Sequence, residues 1–364
     1  MGVAGTGDRR LDWRRDELIW RVAAVGSVED AFAEASLRLR ELVPFDAAVW
    51  RMTDPATGLP VFPRLVEGIE ISAESSAEHW RREFVVEDFN LFRDLARAPV
   101  PAASLAETMG DPTASPRFRS FVRPMGFGDE LRAVLRAGGC PRGVVILWRN
   151  ADRPAFSGRD VQLVAGLCDP LGEAIRSQAR NRHPNDGTPP ADRPGFLLFN
   201  VAGELASIDE QGRAWLAELP DDQTVSTDLG VALPVWIAVT ATQAAAARRT
   251  GGQETVRSRA RSRRGDWLAC HASSQRGGRG GVGPTLVVIE PARPAELAEI
   301  VADAHDLTDR ERQVAALVAR GAGTREIAQQ LYVSPHTVRD HLKAIFAKLS
   351  VSSRGELVAT LYAA

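Results

Sequence analysis

The sequence predicts an α+β region in two successive blocks, followed by an all-α segment of four helices. Three observations predict it. Strand-like and helical apolar spacings are mixed through residues 12–180 and again through 196–292, whereas from residue 300 to 364 only helical spacing remains. A polar stretch with four prolines, RSQARNRHPNDGTPPADRPG over 176–195, separates the first two blocks and marks 181–195 as a linker. A length of 364 residues is also more than one hydrophobic core usually organises.

Composition narrows the class. The chain is 44% hydrophobic and 25% charged, the balance of a soluble globular protein. No apolar run reaches the ~18–20 residues of a membrane span, so no membrane partner is expected. Met1 to Arg15 is Gly- and Arg-rich and lacks the apolar stretch of a secretory signal. Cys140, Cys168 and Cys270 form no metal-ligand spacing, which predicts a reducing, cytoplasmic setting with no disulfide framework and no metal site. Lys343 and Lys348 are the only lysines against 43 arginines. A GC-rich genome explains that bias, yet it has chemical force. A P-loop needs a lysine that is not available, and lysine Schiff-base chemistry is excluded over the first 342 residues.

Within the first block, Ala31, Phe32, Ala35, Leu39 and Leu42 give 28–42 a helical spacing. Asp46 to Met52 is short, apolar and bounded by Pro44 and Pro55, a strand pattern. Leu131 to Arg136 and Gly143 to Trp148 flank the turn residues 137–142, a hairpin signal. Ser157 and Asp160 form a capping box for a helix whose stripe is Val161, Val164, Leu167, Cys168, Leu171 and Ile175, with a kink expected at Pro170. This order, ending in RGVVILWRNADRPAFSGRDVQLVAGL, resembles a GAF domain over roughly residues 15–180. The resemblance implies a small-molecule sensor without naming the effector.

The second block opens with strand patterns at 196–200 and 205–208 around Gly203, then a short helix over 211–219. Thr255 to Arg263 alternates strictly, setting Arg257, Arg259, Arg261 and Arg263 on one face. That face reads as a solvated surface, with a phosphate-binding stripe as its rival. Strands at 267–272 and 285–289 follow, with a Gly-rich gap between them. A hairpin, helices and a three-stranded meander look like a PAS-type domain. The stretch PARPAELAE reads as a short connector.

The last segment carries the sharpest pattern. Thr308 and Glu311 form a capping box before Val314, Leu317 and Val318, and Gly321 and Gly323 end that helix. Thr324 is expected to cap a second helix with Ile327, Ala328 and Leu331 inside. Ser334 is a good N-cap and Pro335 sits at the preferred first position of a third helix. Ser353 and Glu356 open a fourth. A short helix, a tight turn and a Ser-Pro-capped longer helix make a helix-turn-helix pattern. On a wheel at ~100° per residue, Val338, Leu342, Ile345 and Leu349 form one seam. His336, Asp340, Lys343 and Ala347 lie opposite, with Thr337, Arg339 and Ala344 on the flanks. Cations, a carboxylate and small alanines suit the major groove of DNA, although any amphipathic surface helix shows a polar face.

Residues 307–358 resemble the DNA-binding domain of LuxR/FixJ-type transcriptional regulators. The matching elements are Leu307-Thr308-x-Arg310-Glu311, Arg325-Glu326-Ile327-Ala328, Ser334-x-x-Thr337-Val338-x-x-His341-Leu342, Lys348-Leu349 and Ser353-Arg354. The resemblance implies double-stranded DNA as partner, a homodimer on a two-fold site, and RNA polymerase as a further contact. It places Arg339, Asp340 and Lys343 at bases or phosphates, and Thr324, Arg325 and Thr337 at the backbone, with Ser334 and His336 at the same helix end. Leu357, Val358 and Leu361 would be core or dimer-facing. Sigma-factor region 4 shares the L-T-x-R-E opening, but the His341-Leu342 pair and a full fourth helix favour the LuxR type.

The expected function is a DNA-binding regulator under GAF-like and PAS-like control by an unknown small molecule. No catalytic spacing, no cofactor motif and no phosphorelay site is found, so no enzyme activity is expected. A redox- or ligand-sensing interaction protein with a non-DNA-binding tail is the rival, with Cys140 as its redox candidate. The formal charge of −2 speaks against nucleic acid only as an average. Residues 335–348 hold three cations against one carboxylate.

Overall fold

The computed structural model describes residues 4–55, 57–180, 193–220, 223–251, 255–264, 266–278 and 281–362. Most of the expected linker, 181–192, lies outside the described residues. The described residues divide into two compact units, one ending at Pro291 and the other beginning at Ala292. Among them no helix is long and apolar enough to cross a membrane.

The first unit begins with α1 (Ala4–Ala24) and α2 (Val28–Leu42). The bounds of α2 are those its spacing predicts, and the Ser27 side chain caps it by accepting from Asp30 N. Next come β1 (Ala47–Thr53), β2 (Pro60–Glu67), α3 (Ala73–Val85), α4 (Phe92–Leu95), β3 (Ala102–Ser104) and α5 (Leu105–Met109). The expected hairpin is β4 (Phe127–Ala137) and β5 (Cys140–Asn150). Its two loop residues, Gly138 and Gly139, have φ of +57° and +78°, the left-handed pair that a two-residue turn needs to match strand twist. The five strands form an antiparallel sheet in the order β2-β1-β5-β4-β3.

One face of this sheet is covered by α1, α2 and α6 (Gly158–Arg180), through Leu18, Phe32, Leu39, Val164, Leu167 and Leu171. Ser157 and Asp160 form the expected reciprocal cap of α6. Helix α6 runs through Pro170. A proline there cannot donate to the Gly166 carbonyl one turn earlier. The Arg15 guanidinium from α1 donates to that carbonyl at 2.9 Å instead. Two residues on, a Cβ at Gly172 would lie 2.1 Å from the Arg136 carbonyl oxygen, so α6 can approach β4 only with glycine at that position.

The opposite face of the sheet carries charge under cover. Arg132 and Glu83 pair at 2.8 Å and Arg117 and Glu130 at 2.8 Å, with all four side chains 5% exposed or less. The Trp148 indole N–H donates to Glu130 at 3.1 Å, and the Arg132 guanidinium lies over the Phe92 ring. His79 of α3 is buried beside this network with both ring nitrogens lacking a hydrogen-bond partner. Burial, reinforced by the charges of Arg132 and Arg117, pushes its pKa well below the usual histidine value, so the ring is neutral.

The second block supplies β6 (Gly195–Phe199), β7 (Leu205–Ile208), α7 (Glu210–Glu218), β8 (Thr224–Ser226), β9 (Ala232–Pro234), α8 (Val235–Arg249), β10 (Thr255–Arg261), β11 (Trp267–Arg276) and β12 (Val282–Pro291). Strands β8 and β9 pair with each other. The other five form an antiparallel sheet in the order β7-β6-β12-β11-β10. Counted within each sheet along the chain, both orders are 2-1-5-4-3. Helix α8 is apolar nearly all round because it is buried on more than one side. The Thr240 and Ser258 hydroxyls meet at 3.0 Å where it crosses β10.

The arginine face of β10 departs in part from the solvated-surface reading. Arg259 pairs with Asp54 at 3.0 Å, with side chains 10% and 1% exposed. Arg261 lies over the Trp267 ring and Arg263 donates to the Leu219 carbonyl. Each of the four arginines has a partner within the fold, which speaks against a phosphate stripe, while Arg257 and Arg263 stay exposed as a solvated face would.

The second unit contains α9 (Pro294–Ala304), α10 (Asp309–Ala319), α11 (Thr324–Gln330), α12 (Pro335–Leu349) and α13 (Arg354–Tyr362). The four-helix expectation is corrected to five, because the connector PARPAELAE begins a helix. Proline occupies its first turn, the Glu296 carboxylate accepts from Arg293 N at 3.0 Å, and Ala298 and Ala302 are buried. The cap of α11 is also corrected. Gly323 is its N-cap, and the Glu326 carboxylate accepts from Gly323 N at 2.7 Å. Leu357 and Leu361, expected to be core or dimer-facing, are 0% and 1% exposed and belong to this unit's own core. Val358 is half-buried against the same core.

Arg15→Ala is expected to destabilise the first unit by about 1 kcal/mol, measured by denaturant unfolding. Pro170→Ala restores the intrahelical donor and should make Arg15 dispensable, so the double variant should show no further loss. Equal losses from Arg15→Ala in both backgrounds would refute the link.

Candidate nucleic-acid interface

The recognition-type surface is built from helix ends and one packing seam. Four of the five helices in this unit stop in the same way. Each of α9, α10, α11 and α12 passes a 6→1 backbone bond over a left-handed residue: Leu307 N to Ala302 O, Ala322 N to Leu317 O, Val333 N to Ala328 O, and Val351 N to Phe346 O. The left-handed residues are Asp306, Gly321, Tyr332 and Ser350. Glycine takes that conformation freely, and a short aspartate tolerates it. Serine and tyrosine both carry the Cβ clash, roughly 1 kcal/mol each.

Helix α12 then starts as the sequence predicts. The Ser334 hydroxyl accepts from Thr337 N at 3.0 Å, and Pro335 holds the first position. Val338, Leu342, Ile345 and Leu349 are buried. That seam rotates His336, Arg339, Asp340 and Lys343 outward, and all four are exposed. Arg339 and Lys343 make no ion pair or hydrogen bond to another described residue, and neither does the exposed Arg325 at the start of α11. His336 Nδ1 and Asp340 lie 2.9 Å apart as a solvent-exposed i,i+4 pair. Thr337 is half-buried, its hydroxyl 2.9 Å from that of Ser334. Thr324 accepts at its hydroxyl from Arg354 at 2.8 Å, and Arg354 also donates to the Ala322 carbonyl. Arg354 thereby ties α13 to the N-terminus of α11.

The two lysines divide in role. Lys343 is exposed, whereas Lys348 points back into the unit. Its ammonium donates to Glu311 at 2.6 Å and to the Asp306 carbonyl at 2.7 Å. Burial alone would push the Glu311 carboxyl up. The Lys348 ammonium and the Thr308 N–H outweigh it and hold the group below the usual carboxylate value. His305 Nδ1 meets the Lys348 carbonyl at 3.0 Å. Of the three cations in 335–348, Lys348 is paired within the unit, and the two expected on the outer face, Arg339 and Lys343, have no side-chain partner among the described residues.

His341 is half-buried and forms no hydrogen bond to another described residue. Sequence reasoning passed over Tyr332. Its side chain is 95% exposed and forms no hydrogen bond or ring contact with another described residue, and it sits two residues before the cap of α12. Its signal was a tyrosine in a turn where helix-turn-helix patterns carry glycine. The turn beneath it is braced by Arg310, which donates to the Leu331 carbonyl and to Gln313.

The model for bacterial regulatory proteins of the luxR family matches residues 305–361. Over 65 residues the chain is 42% identical to the transcriptional regulatory protein DesR of Bacillus subtilis, covering 18% of this chain and 33% of that protein. Over 52 residues it is 50% identical to the transcriptional activator protein ExaE of Pseudomonas putida, covering 14% and 24%. The chain thus spans a third or less of these curated relatives. Among solved structures, Escherichia coli SdiA aligns over 96% of this chain and 95% of its own, at 12% identity and a TM-score of 0.34.

Lys348→Met should destabilise the second unit by about 2 kcal/mol at neutral pH, because it strands the Glu311 carboxylate. A carboxyl held low contributes stability above its unfolded pKa of ~4.3 and loses it as pH falls through the folded value. The parent protein should therefore lose this contribution only in acid below about pH 4.5. In the variant, unfolding against pH should show a shallower acid limb, and an unchanged limb would contradict the pairing.

Proposed function

We propose that this chain, whose residues 305–361 match the LuxR-family helix-turn-helix model, is a DNA-binding transcriptional regulator that works as a homodimer. One observation carries the reading. Helix α12 is fixed by a continuous buried seam, and the face it turns outward holds two cations whose side chains have no partner among the described residues. A surface helix without a ligand would more often neutralise such cations along its own face. In the groove, Arg339 and Lys343 would reach guanine edges or phosphates, and Asp340 would accept from cytosine. Thr324, Arg325, Ser334, His336 and Thr337 would meet the backbone. Two copies would read two half-sites about one helical turn apart, with RNA polymerase as the further partner.

The first unit is read as the sensor. Its two sheets share the order 2-1-5-4-3, which supports a GAF-like module over 12–180 and a PAS-like module over 196–292. The unknown effector is assigned to the buried polar layer between the first sheet and α3. There the neutral His79 ring has a donor and an acceptor with no partner. Effector binding would shift the balance of DNA-competent and incompetent dimers. The chain would act by binding and not by catalysis, without a cofactor, in the cytoplasm.

Gel shift on duplexes recovered by selection from random DNA tests the reading. Arg339→Ala with Lys343→Ala should abolish the shift. Lys343→Ala alone should lower the slope of log K against log salt by about 1. Undiminished binding by the double variant would remove the recognition assignment.

A further inference from the structure

We propose that Tyr332 is a DNA-backbone contact, held out of the helix-turn-helix turn so that its hydroxyl meets a phosphate at the edge of the groove entered by α12. The proposal rests on the DNA-binding reading and adds a residue that the family pattern did not supply. Four helix ends in this unit share one backbone motif, and at three of them the left-handed residue is glycine or a short polar residue. At Asp306 and Ser350 the side chains are short and polar, and at Gly321 there is none to clash. Tyr332 is large, its hydroxyl has no hydrogen bond to another described residue, and it is 95% exposed. Neither burial nor capping accounts for it. A strained conformation that persists must be held by its surroundings. Here Val333 N bonds to the Ala328 carbonyl on one side, and Arg310 donates to the Leu331 carbonyl on the other. The turn is braced by these two bonds, and the side chain on it has no partner among the described residues.

Position supplies the partner. Tyr332 lies two residues before Ser334, at the end of α12 that leads into a major groove. Tyrosine hydroxyls are among the groups that bond phosphate oxygens and set register without reading sequence. Such a contact carries no charge, so it adds affinity without releasing a counterion. That separates it from Lys343 and Arg339 in an experiment.

The full chain would be titrated against a selected duplex and a random duplex, each of about 40 base pairs, enough for two half-sites. Tyr332→Phe should weaken both by about three- to tenfold, with an unchanged salt slope. Tyr332→Gly should weaken binding at least as much while melting no lower than the parent, which rules out misfolding as the cause. Arg339→Ala with Lys343→Ala serves as the control. If the control loses binding and both Tyr332 variants bind as the parent does, the proposal is overturned while the DNA-binding reading stands. If the control also binds as the parent does, the DNA-binding reading falls and this proposal with it. If the Tyr332 variants bind normally but fail to activate or repress a reporter, the residue meets a protein partner instead and the phosphate contact is refuted.

Discussion

The seam of α12 is the constraint on which the rest of the second unit depends. Val338, Leu342, Ile345 and Leu349 must leave water, and the helices able to cover them are those that also close around Val314, Leu317, Ile327 and Leu357. Once that packing is made, the rotation of α12 has no freedom left. Arg339 and Lys343 face outward because the opposite side is committed to the core. The ion pair between Lys348 and Glu311 pins the far end of the same helix to the cap of α10, and Arg354 ties α13 to α11. Arg339 and Lys343, whose side chains have no partner among the described residues, are thus held outward by elements that are each paired elsewhere.

The first unit shows a different economy. Two sheets of one strand order are joined through a common apolar cluster, with α8 buried from several sides. Charges that would be costly inside are admitted as ion pairs: Arg132 with Glu83, Arg117 with Glu130, and Arg259 with Asp54. His79 differs from these because its nitrogens have no partner. Its place on α3 links the polar layer beneath the first sheet to the cluster shared with the second.

Legibility followed the range of the interactions. Local chemistry was readable. The apolar spacing of α2, the reciprocal cap of Ser157 and Asp160, the glycine pair of the β4–β5 turn and the Ser-Pro start of α12 all act within a few residues. The seam of α12 was readable because a periodicity of 3.6 implies a face. Helix α9 was missed because its prolines look like a connector, and a proline at the first helical position uses the same letter. Thr324 was misplaced by one residue because a glycine can occupy the N-cap when a glutamate three residues on bonds its N–H.

The sequence by itself determined that the last segment is a helix-turn-helix with one apolar seam and a polar outer face. That information lies in spacing and in caps. Tertiary structure alone decided which charges on that face are free. Lys348 and Lys343 are chemically the same residue on the same helix, and only the approach of Glu311 and the Asp306 carbonyl separates them. It also decided the fate of the β10 arginines. Arg259 looks like its neighbours in a period-2 pattern until Asp54, 205 positions away, arrives against it. Such partners are set by how elements pack, and a linear pattern carries no record of them.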